Sequence, residues 1–395
     1  MANQANNTAR EDYSTQRLSQ RYRFSDPNMD LFFLGALGWA PAGGISAGEA
    51  FQVSTGIEDG NAASWTDAFA AQGETLTEQA DSWLARGQVR AAGETRLRAF
   101  TCFRLAWQFV TPGDQFLMLF RRSQTLFDQA MEELDMQAER FAVPYGGSTL
   151  PGHFYKAGNP HAATIMVIGG ADTCHEDRFL SQGRYYIDRG YNVVLVDLPG
   201  QGATPADGLF WEAEAEKPVG AIIDFLIERY GVDTSRLALL GMSLGGYFAA
   251  RSAAEEPRLA AVIATPVLSD PSELSLAAAG AHSSPSEAAQ KNMDVLMWKA
   301  GVSDLRSLAN KWAGQNADPQ RVRMPFLSVL GTQEGGVWQK QTRAWSEAIT
   351  SPHSKLLVLG PETGADAHCQ GNNPLRLVQE VDAWLGQVFA SERSA

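Results

Sequence analysis

The sequence predicts an α/β fold: a mostly parallel sheet with helices on both faces, preceded by an all-helical unit and interrupted by a short helical insertion after the sixth strand. Three observations predict it. Roughly the first 135 residues carry helical periodicity and no strand alternation. From residue 141 onward, short apolar runs alternate with helix-length segments, the pattern of a parallel sheet buried on both faces. Gly241-Met242-Ser243-Leu244-Gly245-Gly246 then stands between an apolar run and a helix-competent stretch. This is Gly-x-Ser-x-Gly in the strand-to-helix context that gives the motif meaning.

Taken in order, residues 1–27 are polar and expected to be mobile. Leu31 to Phe51 is apolar and glycine-rich and reads as a buried connector into the helices. Residues 62–86 read as a helix, with Trp65, Phe69, Leu76, Ala80 and Trp83 at helical intervals. A second helical stripe runs through Ala99, Phe103, Ala106, Trp107 and Val110 until Thr111-Pro112-Gly113 breaks it. A third passes through Phe116, Phe120, Phe127 and Met131 to about Leu134. The expected division is therefore a helical region over 1–137 and an α/β core over 138–395.

The core opens with a hairpin between Phe141 and Tyr155. Buried strands follow at Thr164 to Ile168, Tyr191 to Asp197, the run ending at Gly241, and Ala260 to Thr265. A helix is expected over 212–229. Residues 270–316, with Met293, Leu296, Met297 and Trp298, break the alternation where a lid over the strand ends would be inserted. Phe326 to Leu330 and Lys355 to Leu359 complete the sheet, and Leu375 to Val388 closes the chain as an amphipathic helix.

Composition narrows the function classes. A chain of 395 residues with 44% hydrophobic and 10% aromatic content is globular. A formal net charge of −13 argues against nucleic acid or an anionic membrane as partner. Cys102, Cys174 and Cys369 are odd in number and widely spaced, giving neither a disulfide framework nor a zinc pattern. The polar opening has no signal segment, and the apolar run from Leu31 to Ala40 is too short to span a bilayer. The expectation is a cytoplasmic protein acting on a small molecule.

The chemistry starts at Ser243, which needs a base, which in turn needs an orienting acid. His368 follows the last strand, where the base belongs; His353 precedes that strand and reads as a surface residue. Glu334 lies just past the strand ending at Leu330 and is the first choice of acid. Asp270, past the strand ending at Thr265, is its rival, and Asp366 reads as a solvated loop residue. The oxyanion donors are expected to be the backbone NH of Leu244 and that of Ala171 or Gly170. Asp172 and His175-Glu176-Asp177 fall near the site, with Asp172 a further candidate for substrate contact or acid. His175-Glu176 has no second histidine at ligand spacing, so no metal is expected. Asp197 is expected to tie down the turn at Leu198-Pro199-Gly200.

Over residues 140–390 the chain resembles the α/β-hydrolase fold. More narrowly it resembles the group containing 2,6-dihydroxypseudooxynicotine hydrolase, the fungal pigment-pathway chain-shortening hydrolases and FrsA-like esterases. The matching residues include Leu150-Pro151-Gly152, Gly169-Gly170-Ala171-Asp172, Arg189-Gly190-Tyr191-Asn192-Val193, Asp197-Leu198-Pro199-Gly200-Gln201-Gly202, the Ser243 turn and Ala367-His368-Cys369. The resemblance implies that the helical region is a cap and that Ser243, Glu334 and His368 take the triad positions. It also implies carbon–carbon bond or ester hydrolysis without a cofactor, often by a homodimer. The sequence departs from the group at Glu334, where aspartate is usual.

Overall fold

The structure, a computed structural model, describes residues 15–280 and 285–391. Its first helix, α1 (Pro27–Trp39), is started by Asp26, whose carboxylate accepts the NH groups of Asn28 and Met29 at 2.9 Å. Proline at the first helical position lacks an NH that would have no partner there anyway. α2 (Ala47–Ser54) begins with a reciprocal Ser46–Glu49 capping box. These two helices occupy the stretch expected to be a connector. Glycine content argued against helix, yet Gly38 sits inside α1 because the helix touches a loop there. A Cβ at that position would come 2.1 Å from Gly371 O.

α3 (Ala62–Ala85), α4 (Val89–Ala106) and α5 (Asp114–Glu133) follow the predicted periodicities. Trp65 donates its indole NH to Leu105 O at 2.8 Å, and Thr66 its hydroxyl to Ala106 O at 3.0 Å. Both donate to carbonyls in the last turn of α4, where the helix supplies few NH donors of its own. Trp83, expected on the buried face with Trp65, is only half-buried, with the Arg86 guanidinium 4.0 Å from its ring.

Eight strands form one sheet among the described residues, in the order β1-β2-β4-β3-β5-β6-β7-β8. They are β1 (Ala138–Tyr145), β2 (Ser148–Tyr155), β3 (Thr164–Ile168), β4 (Asn192–Val196), β5 (Leu237–Met242), β6 (Ala261–Thr265), β7 (Phe326–Gly331) and β8 (Lys355–Leu359). The β1–β2 hairpin and the β2–β4 pair are antiparallel; every other pair is parallel. Strand alternation divides the core. Ile165, Val167, Val193 and Leu195 face the side shared with the helical cap, while Met166, Ile168, Val194 and Val196 face the other.

After β3 come α6 (His175–Arg178), a wider turn over Phe179–Gly183, and α7 (Arg184–Asp188). α8 (Glu216–Tyr230) precedes β5, and α9 (Leu244–Glu255) follows it. The insertion after β6 holds α10 (Pro271–Ala279), α11 (Glu287–Ala300) and α12 (Leu305–Trp312); its residues 281–284 lie outside the described residues. α11 seats on the cap. Gln108 donates to Asn292 Oδ1 at 3.0 Å, and the Phe116 and Trp298 rings meet edge to face at 5.3 Å. α13 (Gly336–Ala348) and α14 (Pro374–Ser391) complete the fold.

The segment expected to be mobile is bound from residue 15 on; residues 1–14 lie outside the described residues. Leu18 and Phe24 are buried. The Asp30 carboxylate accepts the NH groups of Tyr22, Arg23 and Phe24 at 2.7–2.9 Å. The segment looked unstructured because its anchors are backbone hydrogen bonds, which leave no apolar pattern.

Candidate active site

Ser243 sits between the end of β5 and the start of α9 with φ 58° and ψ −121°. Positive φ is costly for a side-chain-bearing residue, of the order of 1–3 kcal/mol, so the surroundings must impose it. They do so by close approach. A Cβ on Gly241 would lie 2.0 Å from Gly245 O, and one on Gly245 would lie 2.4 Å from Gly169 O. Only glycine lets strand and helix close on the serine at both positions.

His368 lies in the loop between β8 and α14. Its Nε2 is 2.9 Å from Ser243 Oγ, and its Nδ1 is 2.7 Å from Glu334 Oε2. Glu334 follows β7 and is fully buried. The Trp338 ring packs against the imidazole at 5.2 Å. Burial works against a charged imidazole here, but the neighbouring Cys369 and Glu334 outweigh it and hold His368 above its usual range. Cys369 Sγ lies 3.2 Å from Thr265 O, and Glu334 Oε2 is the carboxylate oxygen that meets the imidazole.

The oxyanion candidates lie against the serine. A Cβ on Gly170 would approach Ser243 Cβ to 2.6 Å and Oγ to 3.1 Å. Leu244 opens α9, where first-turn NH groups have no acceptor within the helix. The peptide that carries the Ala171 NH is held through its carbonyl, Gly170 O, which accepts Gln201 Nε2 and Thr173 Oγ1, each at 3.2 Å. A cavity of about 110 Å³ opens here, bounded by Ser243, His368 and Gly170 on the sheet side and by Phe32 and Trp39 of α1 on the other.

The remaining candidates go elsewhere. Asp270 caps α10, accepting from Ser272 N at 2.9 Å, so it is engaged at the insertion. His353 is exposed, as expected. Asp366 is buried rather than solvated; Asn372 donates to it at 2.9 Å. Asp172 lines the cavity and accepts Arg17 Nη1 at 2.9 Å. Asp197 does not tie its turn, because Gln201 Oε1 accepts Leu198 N there at 2.9 Å. Asp197 pairs instead with His175 Nδ1 at 2.9 Å.

Donor atoms of His175, Glu176 and Asp197 lie within 4.8 Å of one another, and the His153 ring is 5.1 Å from His175. Burial alone would lower the His175 pKa, but Glu176 and Asp197 raise it to about 9. Within the cluster His175 Nδ1 lies 2.9 Å from Asp197 Oδ2 and 3.4 Å from Glu176 Oε2, so the two carboxylates favour the charged imidazole.

No sequence signal marks Arg17, Arg178 or Trp338 as part of this site. Arg17 comes from the polar N-terminal stretch, and Arg178 from a helical run with nothing to distinguish it.

A family model described as the alpha/beta hydrolase family matches residues 169–393. The chain is 33% identical over 255 residues to hydrolase acrC of Aspergillus aculeatus, covering 58% of this chain and 59% of that protein. It is 31% identical over 255 residues to 20-hydroxy-prefusarin hydrolase FUS2 of Gibberella moniliformis, covering 61% and 60%. It is 30% identical over 208 residues to 2,6-dihydropseudooxynicotine hydrolase of Paenarthrobacter nicotinovorans, covering 52% and 56%. The chain thus spans less than two thirds of the length of these relatives. In fold, it is similar to the crystal structure of 2,6-dihydroxy-pseudo-oxynicotine hydrolase, with TM-score 0.72 and 22% identity over 90% of this chain and 96% of that one. AbyA5 is similar too, with TM-score 0.62 and 19% identity over 87% and 95%. Among the described residues, no helix is long and apolar enough to cross a membrane.

Proposed function

The chain belongs to the α/β-hydrolase family, and from that premise we propose that it is a serine hydrolase working through an acyl-enzyme on a small aromatic or polyketide-like ketone or ester. The observation that carries this reading is the continuous relay from Ser243 Oγ through His368 to Glu334, at 2.9 and 2.7 Å. His368 Nε2 takes the Ser243 proton as Oγ adds to the substrate carbonyl. The NH of Leu244 and that of Ala171 or Gly170 receive the oxyanion. Glu334 holds the imidazole with Nδ1–H toward itself and stabilises the imidazolium without taking its proton. Collapse breaks the bond to the leaving group, which receives the proton from His368 Nε2. The leaving atom is oxygen for an ester, or carbon for a ketone whose carbanion is delocalised as an enolate or phenol tautomer. Water activated by His368 then clears the acyl group from Ser243.

The cavity wall formed by Phe32 and Trp39 suits a flat apolar substrate. Relatives named as hydrolases of 20-hydroxy-prefusarin and of 2,6-dihydropseudooxynicotine support a small organic molecule. Simple carboxylester hydrolysis is the runner-up and uses the same steps.

A fluorophosphonate probe tests the nucleophile. It is expected to label Ser243 in folded protein, and Ser243→Ala is expected to lose roughly 10⁴-fold or more in kcat. Absence of labelling removes the covalent mechanism. Turnover that survives Ser243→Ala would instead favour acid–base chemistry by His368, as in a lyase or cyclase. A panel of p-nitrophenyl esters set against β-diketones and acyl-phenols separates C–O from C–C cleavage.

A further inference from the structure

The cavity beside Ser243 has more positive charge in its wall than the proposed chemistry uses. Arg178 lines it and is 6% exposed. Its Nε and Nη2 both bond a single oxygen, Asp177 Oδ1, at 2.6 Å. Asp177 is not its partner alone, because Arg104 Nε takes Oδ2 at 2.8 Å. One carboxylate therefore serves two guanidiniums. Arg104 places its other two nitrogens on oxygen acceptors, Gln108 Oε1 and Asp172 O, at 2.6 and 2.7 Å. Arg178 has no such completion. Among the described residues its Nη1 meets only the Met242 thioether, at 3.2 Å, and sulfur of that kind is a weak acceptor.

The location is specific. Met242 immediately precedes the serine, and a Cβ on Gly169 would lie 3.6 Å from Arg178 Cδ, so the guanidinium runs along the oxyanion loop. Arg17 lines the same cavity. It is held by Asp172 Oδ2 at 2.9 Å and Asn28 Oδ1 at 2.7 Å. In and directly behind the cavity wall, three guanidiniums (Arg17, Arg104 and Arg178) thus share two carboxylates (Asp172 and Asp177). A buried cation with an under-used planar donor edge is retained at a cost in desolvation, and its fork geometry matches an anionic oxygen group.

We infer that Arg178, assisted by Arg17, forms a specificity subsite for an anionic oxygen of the substrate, a carboxylate or a phenolate, next to the carbonyl attacked by Ser243. The inference rests on the proposed nucleophile and goes beyond it by assigning the substrate's charge. The anionic group displaces the thioether as partner of Nη1 and anchors one end of the molecule, leaving its apolar body against Phe32 and Trp39.

The test is protection of Ser243 from a fluorophosphonate probe by three small ligands: benzoate, 4-nitrophenolate at a pH where it is ionised, and neutral benzamide. In the wild-type protein benzoate or the phenolate is expected to protect at about tenfold lower concentration than benzamide, and whichever does so identifies the anion. In Arg178→Gln the ratio of anion to benzamide protection is expected to fall toward one. Arg178→Lys, which keeps the charge but not the fork, should retain an intermediate ratio, and Arg17→Gln should reduce it less. Equal protection by benzoate, phenolate and benzamide in the wild-type protein overturns the subsite, whatever the variants do. So does an unchanged ratio in folded Arg178→Gln. Failure of Ser243 to label at all is a failure of the proposed nucleophile instead, and calorimetric titration with benzoate and benzamide then reads the same ratio directly.

Discussion

Glu334 reaches His368 with one methylene more than aspartate would provide, and its two oxygens are treated unequally. Oε2 takes the imidazole at 2.7 Å, while Oε1 is buried with no partner among the described residues. Little competes with the imidazole for this carboxylate charge, so the charge should act strongly on His368. A nearby anion favours the imidazolium and raises its pKa, while burial opposes this. His368 must be neutral to accept the Ser243 proton, so kcat/KM is expected to rise with pH along an acid limb set above 6.5, the ordinary histidine value. Glu334→Gln removes the charge and keeps the shape. It should move that limb to lower pH and reduce kcat by about 10³–10⁴-fold. Glu334→Asp should keep the limb near the wild-type position while losing part of kcat through a longer bond. A pH–rate profile of a p-nitrophenyl ester across the three proteins decides this. A limb that stays in place in Glu334→Gln would mean that another group sets the histidine's basicity.

At the scale of elements, the two loops bearing Glu334 and His368 are tied together by a third segment distant in sequence. Gln16 O accepts Gly335 N at 2.7 Å, and Arg17 O accepts His368 N at 3.2 Å. Gln333 Oε1 in turn accepts the NH groups of Ser19 and Gln20 at 3.1 and 3.2 Å. Residues 16–20 therefore act as a strap across the site. Gln333→Ala should leave two NH groups without that acceptor, at a cost of about 1–3 kcal/mol. It should also lower kcat by about tenfold as the acid loop loosens, since small misplacements near the chemistry are expensive. Gln333→Glu, which keeps an acceptor oxygen, should recover much of both. Thermal denaturation and ester turnover measure the two effects. A stability loss without loss of kcat would confine the strap to a structural role.

This strap marks the limit of what the sequence makes legible. Strands such as Thr164–Ile168 and Lys355–Leu359 are contiguous apolar runs, so local pattern defines them. The Ser243 turn is a local motif, and the positions of Glu334 and His368 follow from which strands precede them. The segment before α1 has no local pattern because its anchors are backbone groups, some paired with Asp30 nearby and others with loops hundreds of residues away. Leu31 to Phe51 misleads for a related reason: Gly38 answers to Gly371, not to its own helix.

On the scale of the whole molecule, the cap is not a separate body laid over the sheet. Phe127 of α5 is fully buried, and its ring lies 5.1 Å from Phe100 in α4, 5.6 Å from Phe179 after α6 and 5.4 Å from His153 in β2. One apolar cluster runs from Trp65 and Phe100 in the cap through Phe127 to Ile165 and Val167 in the sheet. Two bodies with their own cores could melt independently; a shared core couples their unfolding. The cap is therefore expected to melt together with the sheet. Phe127→Ala should cost about 3–5 kcal/mol through lost burial and the cavity left behind. It should shift the whole transition, with cap and sheet signals still coincident. Scanning calorimetry read against far-ultraviolet circular dichroism tests this, through the ratio of calorimetric to van't Hoff enthalpy. A variant that splits into an early and a late transition, the late one at the wild-type temperature, would show that the cap folds on its own and that the active-site cavity can open without unfolding the sheet.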